Sequence, residues 1–249
     1  MMFVNAEGLD FPVLNEKIRT SDGEVTIDHC CGQRFIASGM KDKQITINGI
    51  PGNALGAYLD GASIEVHGNA QDAVGDTMND GKIMIHGNIG DAAGYAMRGG
   101  RIYIRGNAGY RAGIHMKEYK NKVPLMVIGG SAGSFLGEYQ AGGIIIVLGL
   151  NADGRLVGDR LVGDRLVGDF PCTGMHGGKV FFRGEPPKSL FPKNVYLSPA
   201  GEEEMKQIRP FLSEYADCFG LDKDSLLDAA YTVAYPDSQN PYKQMYVAN

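Results

Sequence analysis

Apolar residues recur along this chain with two nested periods. Over short stretches they alternate with polar ones, as in Ile45/Ile47, Ile64/Val66, Ile83/Ile85, Ile102/Ile104, Met126/Ile128, Ile145/Val147 and Val180/Phe182. A period of two marks a β-strand with one buried face. The stretches themselves return every 19 residues, so that segments 64–82, 83–101 and 102 onward align without a gap. Five extra residues around 119–123 delay the return at Met126; Ile145 resumes it and 180–184 repeat the opening. Internal repetition of this kind decides the fold before any local propensity does.

Glycine is locked to the same period. One follows each strand, at Gly49, Gly68, Gly87, Gly106, Gly130, Gly149 and Gly184; another comes seven residues later, at Gly56, Gly75, Gly94, Gly113 and Gly137. Gly52, Gly90, Gly109 and Gly133 lie between them. Glycine at fixed offsets means a corner with positive φ, or a coil-to-coil approach that a β-carbon would block. A unit of 19 residues is too short for a strand plus crossover helix, which takes about 30. The expected fold is therefore all-β: a single-stranded right-handed parallel β-helix of about seven such coils, with residue i stacked over i+19 at about 4.8 Å and the aliphatic columns fused into one core.

The ends depart from the period. Residues 25–36 (VTIDHCCGQRFI) read as a degenerate first coil, with His29 in the place of Gly49 and Gly32 in that of Gly52. Residues 1–24 then form a lid over the open end, 25–184 the β-helix, and 185–249 an extension that begins at Pro186-Pro187. In that extension 202–219 read as a helix, acidic in its first turn, in which Pro210 forces a kink or a break, and 222–231 as a second short helix. The tail from Thr232, with Tyr235, Tyr242 and Tyr246, reads as a docking strap. Between Ile145 and Val180 lie 16 residues more than one coil, and 155–169 are RLVGD three times over. Five-residue copies do not fit the coil, so they are expected to loop out. They form either a tolerated insertion or an arm that pairs with a partner through Leu156/Val157, Leu161/Val162 and Leu166/Val167.

Composition narrows the function. The 249 residues are 43% hydrophobic, enough for a core, and carry a net charge of −5 with no basic run, which argues against a nucleic-acid partner. The longest aliphatic run, 144–148, is five residues, far below a membrane span, and no basic flank and apolar stretch mark the start as a signal peptide. A cytoplasmic protein with no membrane partner is expected. Cys30, Cys31, Cys172 and Cys218 show no paired spacing and read as thiols, mostly small buried residues.

Candidate chemistry is sparse. No GxxxxGK[ST] segment occurs, so no nucleotide cradle is indicated. His67 and His86 share an outward column with Asn48 and Arg105, beside Glu65; two stacked imidazoles and a carboxylate could hold a metal, but such a column more often is a solvated polar ladder. His115 and His176 offer no ligand set, and Cys172, four residues before His176, falls on a corner-glycine column. No catalytic, cofactor-binding or metal residue is assigned from the residues alone.

The glycine signature Gly49/Gly52/Gly56, Gly87/Gly90/Gly94, Gly106/Gly109/Gly113 and Gly130/Gly133/Gly137, with NDGKIMIHGN, AMRGGRIYIRGN, GIHMKEYK and CTGMHGGKVFFRG, resembles the family named for its GXGXG motif. Its members form the carboxy-terminal β-helix of the glutamate synthase large subunit, and a relative is the scaffold chain of formylmethanofuran dehydrogenase. The resemblance spans about 25–184 and departs at Gln71, where the motif has glycine. The stretch EEEMKQIRPFLSEYADCFGLD and the tyrosine-rich end look like free-standing glutamate synthase domains. The resemblance implies a non-catalytic structural subunit packed against amidotransferase and flavin chains, with FMN and an iron–sulfur cluster on those partners and no cofactor here. Its alternatives are the matching scaffold of a molybdenum or tungsten enzyme, or a self-assembling homo-oligomer without an enzyme.

Overall fold

The structure, a computed structural model, describes residues 1–150 and 166–237. The first two RLVGD copies, Tyr242 and Tyr246 lie outside the described residues. The chain forms a β-solenoid of about eight turns, the seven expected and the degenerate one before them. Nine parallel strands stack in chain order: β1 (Met2–Asn5), β2 (Glu24–Cys31), β3 (Gln44–Ile50), β4 (Asp60–His67), β5 (Asp80–Ile85), β6 (Arg101–Ile104), β7 (Leu125–Ile128), β8 (Ala141–Val147) and β9 (Gly177–Arg183). Register follows the sequence period. Ile45 lies on Ile64, Ile83, Ile102, Met126, Ile145 and Val180 in turn, and Ile47 on Val66, Ile85, Ile104, Ile128, Val147 and Phe182. All of these are buried in one continuous core.

A second parallel ladder runs along another side of the coil through Ala70, Ile89, Ala108, Ala132 and Val167. This corrects the expectation that every RLVGD copy loops out. The third copy is the coil itself: Leu166 and Val167 are buried, Ala132 N–H donates to Leu166 O at 3.0 Å, and Gly168 N–H donates to Ala132 O at 3.0 Å. The motif LVGD satisfies the same pattern of inward apolar residue, glycine and polar cap as Ala132-Gly133-Ser134, so the surplus residues precede it and Leu166/Val167 are not part of an arm.

The first coil also differs in detail. Val25 and Ile45 are twenty apart, one more than the period, and a bulge between Ile27 and Cys30 absorbs the extra residue. His29 is that residue, exposed at φ 55, so Cys30 rather than His29 pairs with Gly49. The shift carries forward: Gly52 N–H donates to Gln33 O at 2.8 Å, which puts Gln33, not Gly32, in the column of Gly52.

Both ends are sealed. At the start, β1 adds a strand and α1 (Phe11–Thr20) buries Leu14 and Ile18 over the first coil. Asn15 substitutes for a missing coil: its Nδ2 donates to Phe35 O at 2.9 Å and its Oδ1 accepts from Ala37 N–H at 2.8 Å. At the far end the described part of the tail is not a strap laid over the surface but a strand. β11 (Tyr231–Pro236) inserts antiparallel between β9 and β10 (Val195–Pro199), which stops parallel stacking. Between β10 and β11, α2 (Glu202–Phe219) runs through Pro210 without a break, because Met205 and Ile208 before it and Leu212, Tyr215 and Ala216 after it are all buried on one face while Pro210 itself faces solvent. The second helix, α3 (Lys223–Leu227), is shorter than expected, since the chain from Tyr231 onward is claimed by β11.

Asn15→Leu keeps the volume but leaves Ala37 N–H without its partner and Phe35 O with only the 3.3 Å bond from Ser38 N–H; a loss of about 1–3 kcal/mol in urea unfolding is expected, the cost of one buried orphan.

Candidate functional site

Each column of corner glycines has its own cause. At Gly56, Gly75, Gly94, Gly113 and Gly137 the backbone is left-handed, with φ between 64 and 71. A β-carbon on Gly75 would also stand 2.5 Å from Ile102 Cδ1, and one on Gly56 2.7 Å from Ile83 Cδ1, so the space is filled by the core two strands further on. The columns of Gly87 and Gly90 are different. There the neighbouring coil's Asn69 Oδ1 and Asp72 Oδ1 occupy the place of the missing β-carbon, and each accepts from the backbone N–H of the next coil: Asn88 N–H to Asn69 Oδ1 at 2.8 Å, Asp91 N–H to Asp72 Oδ1 at 2.9 Å. Asn88 and Asp91 repeat this for Asn107 and Tyr110, and Asn107 for Ser131. Beside Gln71, where glycine is absent, the bond from Asp72 N–H to Asn53 Oδ1 is the longest, at 3.3 Å.

Composition gave no sign of two further left-handed columns that contain no glycine in most coils. Phe35, Ala54, Ala73, Ala92, Arg111, Phe135 and Phe170 lie at φ 55 to 62, and Tyr58, Thr77, Ala96, His115 and Tyr139 at φ 49 to 57. Phe35, Arg111, Phe135 and Phe170 in the first and Tyr58, His115 and Tyr139 in the second carry large side chains, joined by Tyr95 beside Ala96. Tyr95 meets His115 edge-on at 5.7 Å, His115 stacks on Tyr139 at 5.2 Å, and Arg111 covers Phe135, which stacks on Phe170 at 5.5 Å. Tyr58, Tyr95, Tyr139 and Phe170 remain exposed, which makes this edge an aromatic surface suited to protein contact. The sequence signal was available in Tyr58, Tyr95 and Tyr139, which recur 12 or 13 residues after the first inward residue of their coils.

The opposite choice is made on the sheet. In β4 the outward residues are Glu65 and His67, but in β7 and β8 they are Leu125, Val127, Ile144 and Ile146, so those strands are apolar on both faces. Helix α2 covers this second core, with Tyr215 Oη donating to Ile104 O at 2.9 Å through the opening left by Gly129. Beside the helix lies a cleft of about 380 Å³ lined by Asp80, Lys82, Arg101, Lys122 and Glu214. Its charges are matched: Glu214 pairs with Arg101, with Lys82 at 3.5 Å and with Tyr103 Oη at 2.8 Å, while Lys122 meets Asp80 at 2.7 Å and Asp60 at 3.9 Å. The five inserted residues thus deliver a lysine that links two coils. The Lys122 hydrogen bond holds the Asp80 carboxyl below the usual carboxylate range; burial, reinforced by Glu214, pushes the Tyr103 phenol up. The cleft clamps α2 to the solenoid.

Glu65, His67 and His86 do converge, within 4.8 Å of one another. His115 and His176 do not join them; His115 is held in the aromatic stack and His176 faces the Gly174 carbonyl at 3.2 Å. Cys172 takes the corner-glycine column as expected, left-handed at φ 59, and burial pushes its thiol up to about 12. Burial likewise raises Cys30 to about 11. Both are protonated at neutral pH and poor nucleophiles. Cys31, by contrast, is exposed and Cys218 half-buried, so the expectation of mostly buried thiols holds for two of the four. Among the described residues no helix is long and apolar enough to cross a membrane.

A model of the GXGXG motif family matches residues 12–236. The chain belongs to that family. This GXGXG protein is 42% identical over 254 residues to the uncharacterized protein MJ1350 of Methanocaldococcus jannaschii, a match covering 98% of this chain and 95% of that one. Among solved structures it is similar to the formyltransferase/hydrolase complex (FhcABCD) from Methylorubrum extorquens in complex with methylofuran, with a TM-score of 0.62 and 20% identity, over 84% of this chain and 71% of that chain. At that identity the likeness is one of fold.

Two measurements test the columns. Gly75→Ala adds a left-handed β-carbon against Ile102 and is expected to cost about 2–4 kcal/mol; Ile102→Val, which removes the atom in the way, recovers part of it in a double-mutant cycle. For the cleft, Asp80 has its carboxyl lowered in the folded chain, so its pair with Lys122 stabilises above the unfolded value near pH 4 and is lost as pH falls through the lower folded one. Lys122→Met should flatten that acid limb of the unfolding curve by less than about 1 kcal/mol, since the pair is partly exposed.

Proposed function

We propose that this chain is a structural subunit of a multi-chain enzyme, a rigid wedge whose lateral faces hold partner chains in place. What supports it most directly is the combination of sealed ends with an exposed aromatic edge. Asn15 and β11 close the stack at its two termini, so it does not grow by adding coils, whereas Tyr58, Tyr95, Tyr139 and Phe170 are presented sideways on a backbone that every neighbouring coil holds in register.

The finer reading is a cytoplasmic glutamate synthase split among separate chains, in which this subunit packs against an amidotransferase chain and a chain carrying FMN and an iron–sulfur cluster, and supports glutamate biosynthesis without a catalytic residue of its own. The motifs 87–113 and the tail sequence support it by resemblance. The fold likeness to the formyltransferase/hydrolase complex fits a second reading comparably, the scaffold position in a formyl-transferring enzyme, with the molybdenum or tungsten pterin of its partner implied by the family resemblance alone.

Purification of the native complex through this chain distinguishes them. The first reading expects flavin and iron–sulfur absorbance in the eluate and formation of glutamate from glutamine and 2-oxoglutarate that falls by at least about tenfold when this subunit is omitted from reconstitution. Full glutamate formation without it overturns that reading. Molybdenum or tungsten in the eluate supports the second, and a discrete homo-oligomer with no partner overturns both.

A further inference from the structure

The column of outward residues on β4 and β5 holds more than a polar ladder. Glu65 and His67 lie two apart on β4 and share its outward face; His86 follows β5 and sits over His67, with its own N–H donating to Val66 O at 3.0 Å. Their inward neighbours Ile64, Val66, Ile83 and Ile85 are fully buried, which fixes the strands and with them the three outward side chains. The imidazoles face one another at 4.7 Å and 35°. Both present Nε2 to a single oxygen, Glu65 Oε1, at 2.8 Å from His86 and 3.9 Å from His67.

That convergence is the informative feature. A solvated ladder gives each member its own partner, as Asn48 in the same column donates to Asp28 Oδ1 at 2.6 Å. Here three donor atoms point at one volume. Ligands of a tetrahedral ion, each about 2.1 Å from it, stand about 3.4 Å apart, and the two observed separations, 2.8 and 3.9 Å, straddle that value. Phe219 at the end of α2 closes one side, edge-on to His86 at 5.2 Å, while His67 opens to solvent.

We propose that Glu65, His67 and His86 bind a first-row divalent ion of the zinc and cobalt class, through two imidazole nitrogens and one carboxylate oxygen, with a fourth position left to water or to a residue of a docked chain. Two nitrogen donors select against calcium and magnesium, which prefer all-oxygen sets. The site belongs to the sheet face beside α2 and does not depend on which enzyme the subunit serves.

The test uses the full chain, stripped with EDTA and free of any histidine tag. Titration with zinc chloride by calorimetry at pH 7.5, and with cobalt chloride by visible absorption, is expected to show one equivalent bound and a four-coordinate cobalt spectrum. His67→Asn and His86→Asn place in this column the residue that Asn48 already supplies to it, so the fold is retained; each should weaken zinc binding by at least about tenfold. His176→Ala should leave it unchanged. No saturable binding, or one equivalent that survives both asparagine variants, overturns the proposal.

Discussion

Everything in this molecule depends on the stacking of one coil on the next in a single register. Backbone groups along the turn point alternately to the two neighbours: Gly75 N–H donates back to Leu55 O at 2.8 Å, and Ala73 N–H, two residues earlier, donates forward to Asp91 O at 2.8 Å. That alternation is what the left-handed residues at every second position achieve. Each such residue is unfavourable by about 1–2 kcal/mol without glycine, so the ladder on either side must hold it. A slip of one residue would turn every isoleucine outward and every polar residue inward. The Asn and Asp side-chain bonds across Gly87, Gly90, Gly106 and Gly109 make the same register a second time, from outside the core.

Regularity of this kind is legible in a sequence because one column repeats one requirement. Ile45, Ile64, Ile83 and Ile102 announce the inward face, and the glycines announce the corners. What escaped was everything that happens once. His29 is swallowed by a bulge that the twenty-residue interval hints at but does not locate. The third RLVGD copy resembles its two predecessors in composition, and only the ladder from Ala132 distinguishes it as part of the coil. The left-handed columns of Phe35 and Tyr58 carry ordinary residues, since an L-residue held by neighbours on both sides needs no glycine. β11 is an antiparallel strand contributed from the end of the chain, and nothing local in YTVAYP says which edge it will join.

The placement of α2 was legible in principle. Strands covered on both faces lose their alternation, and the change from ITINGI in β3 to LMVI in β7 and GIIIV in β8 marks where a cover must lie. The candidate site was legible only as a set of residue types. His67, His86 and Glu65 are apparent as a column; that both imidazoles turn to the same oxygen is a matter of side-chain rotation, which the period does not determine.

A stack whose inward columns are dictated by its own coil has little freedom to specify a partner there. The freedom lies in the outward positions, where each coil offers a side chain about 4.8 Å from the next, and this chain has used it in three different ways: apolar under α2, charged around Lys122 and Glu214, aromatic from Tyr95 to Tyr139. The formyltransferase/hydrolase relative shares the solenoid at 20% identity, which is what a common set of inward columns requires and no more. The choice of partner on the proposed reading is therefore a property of its outward columns, and the aromatic edge and the face carrying Glu65, His67 and His86 are outward surfaces that no element among the described residues fully covers.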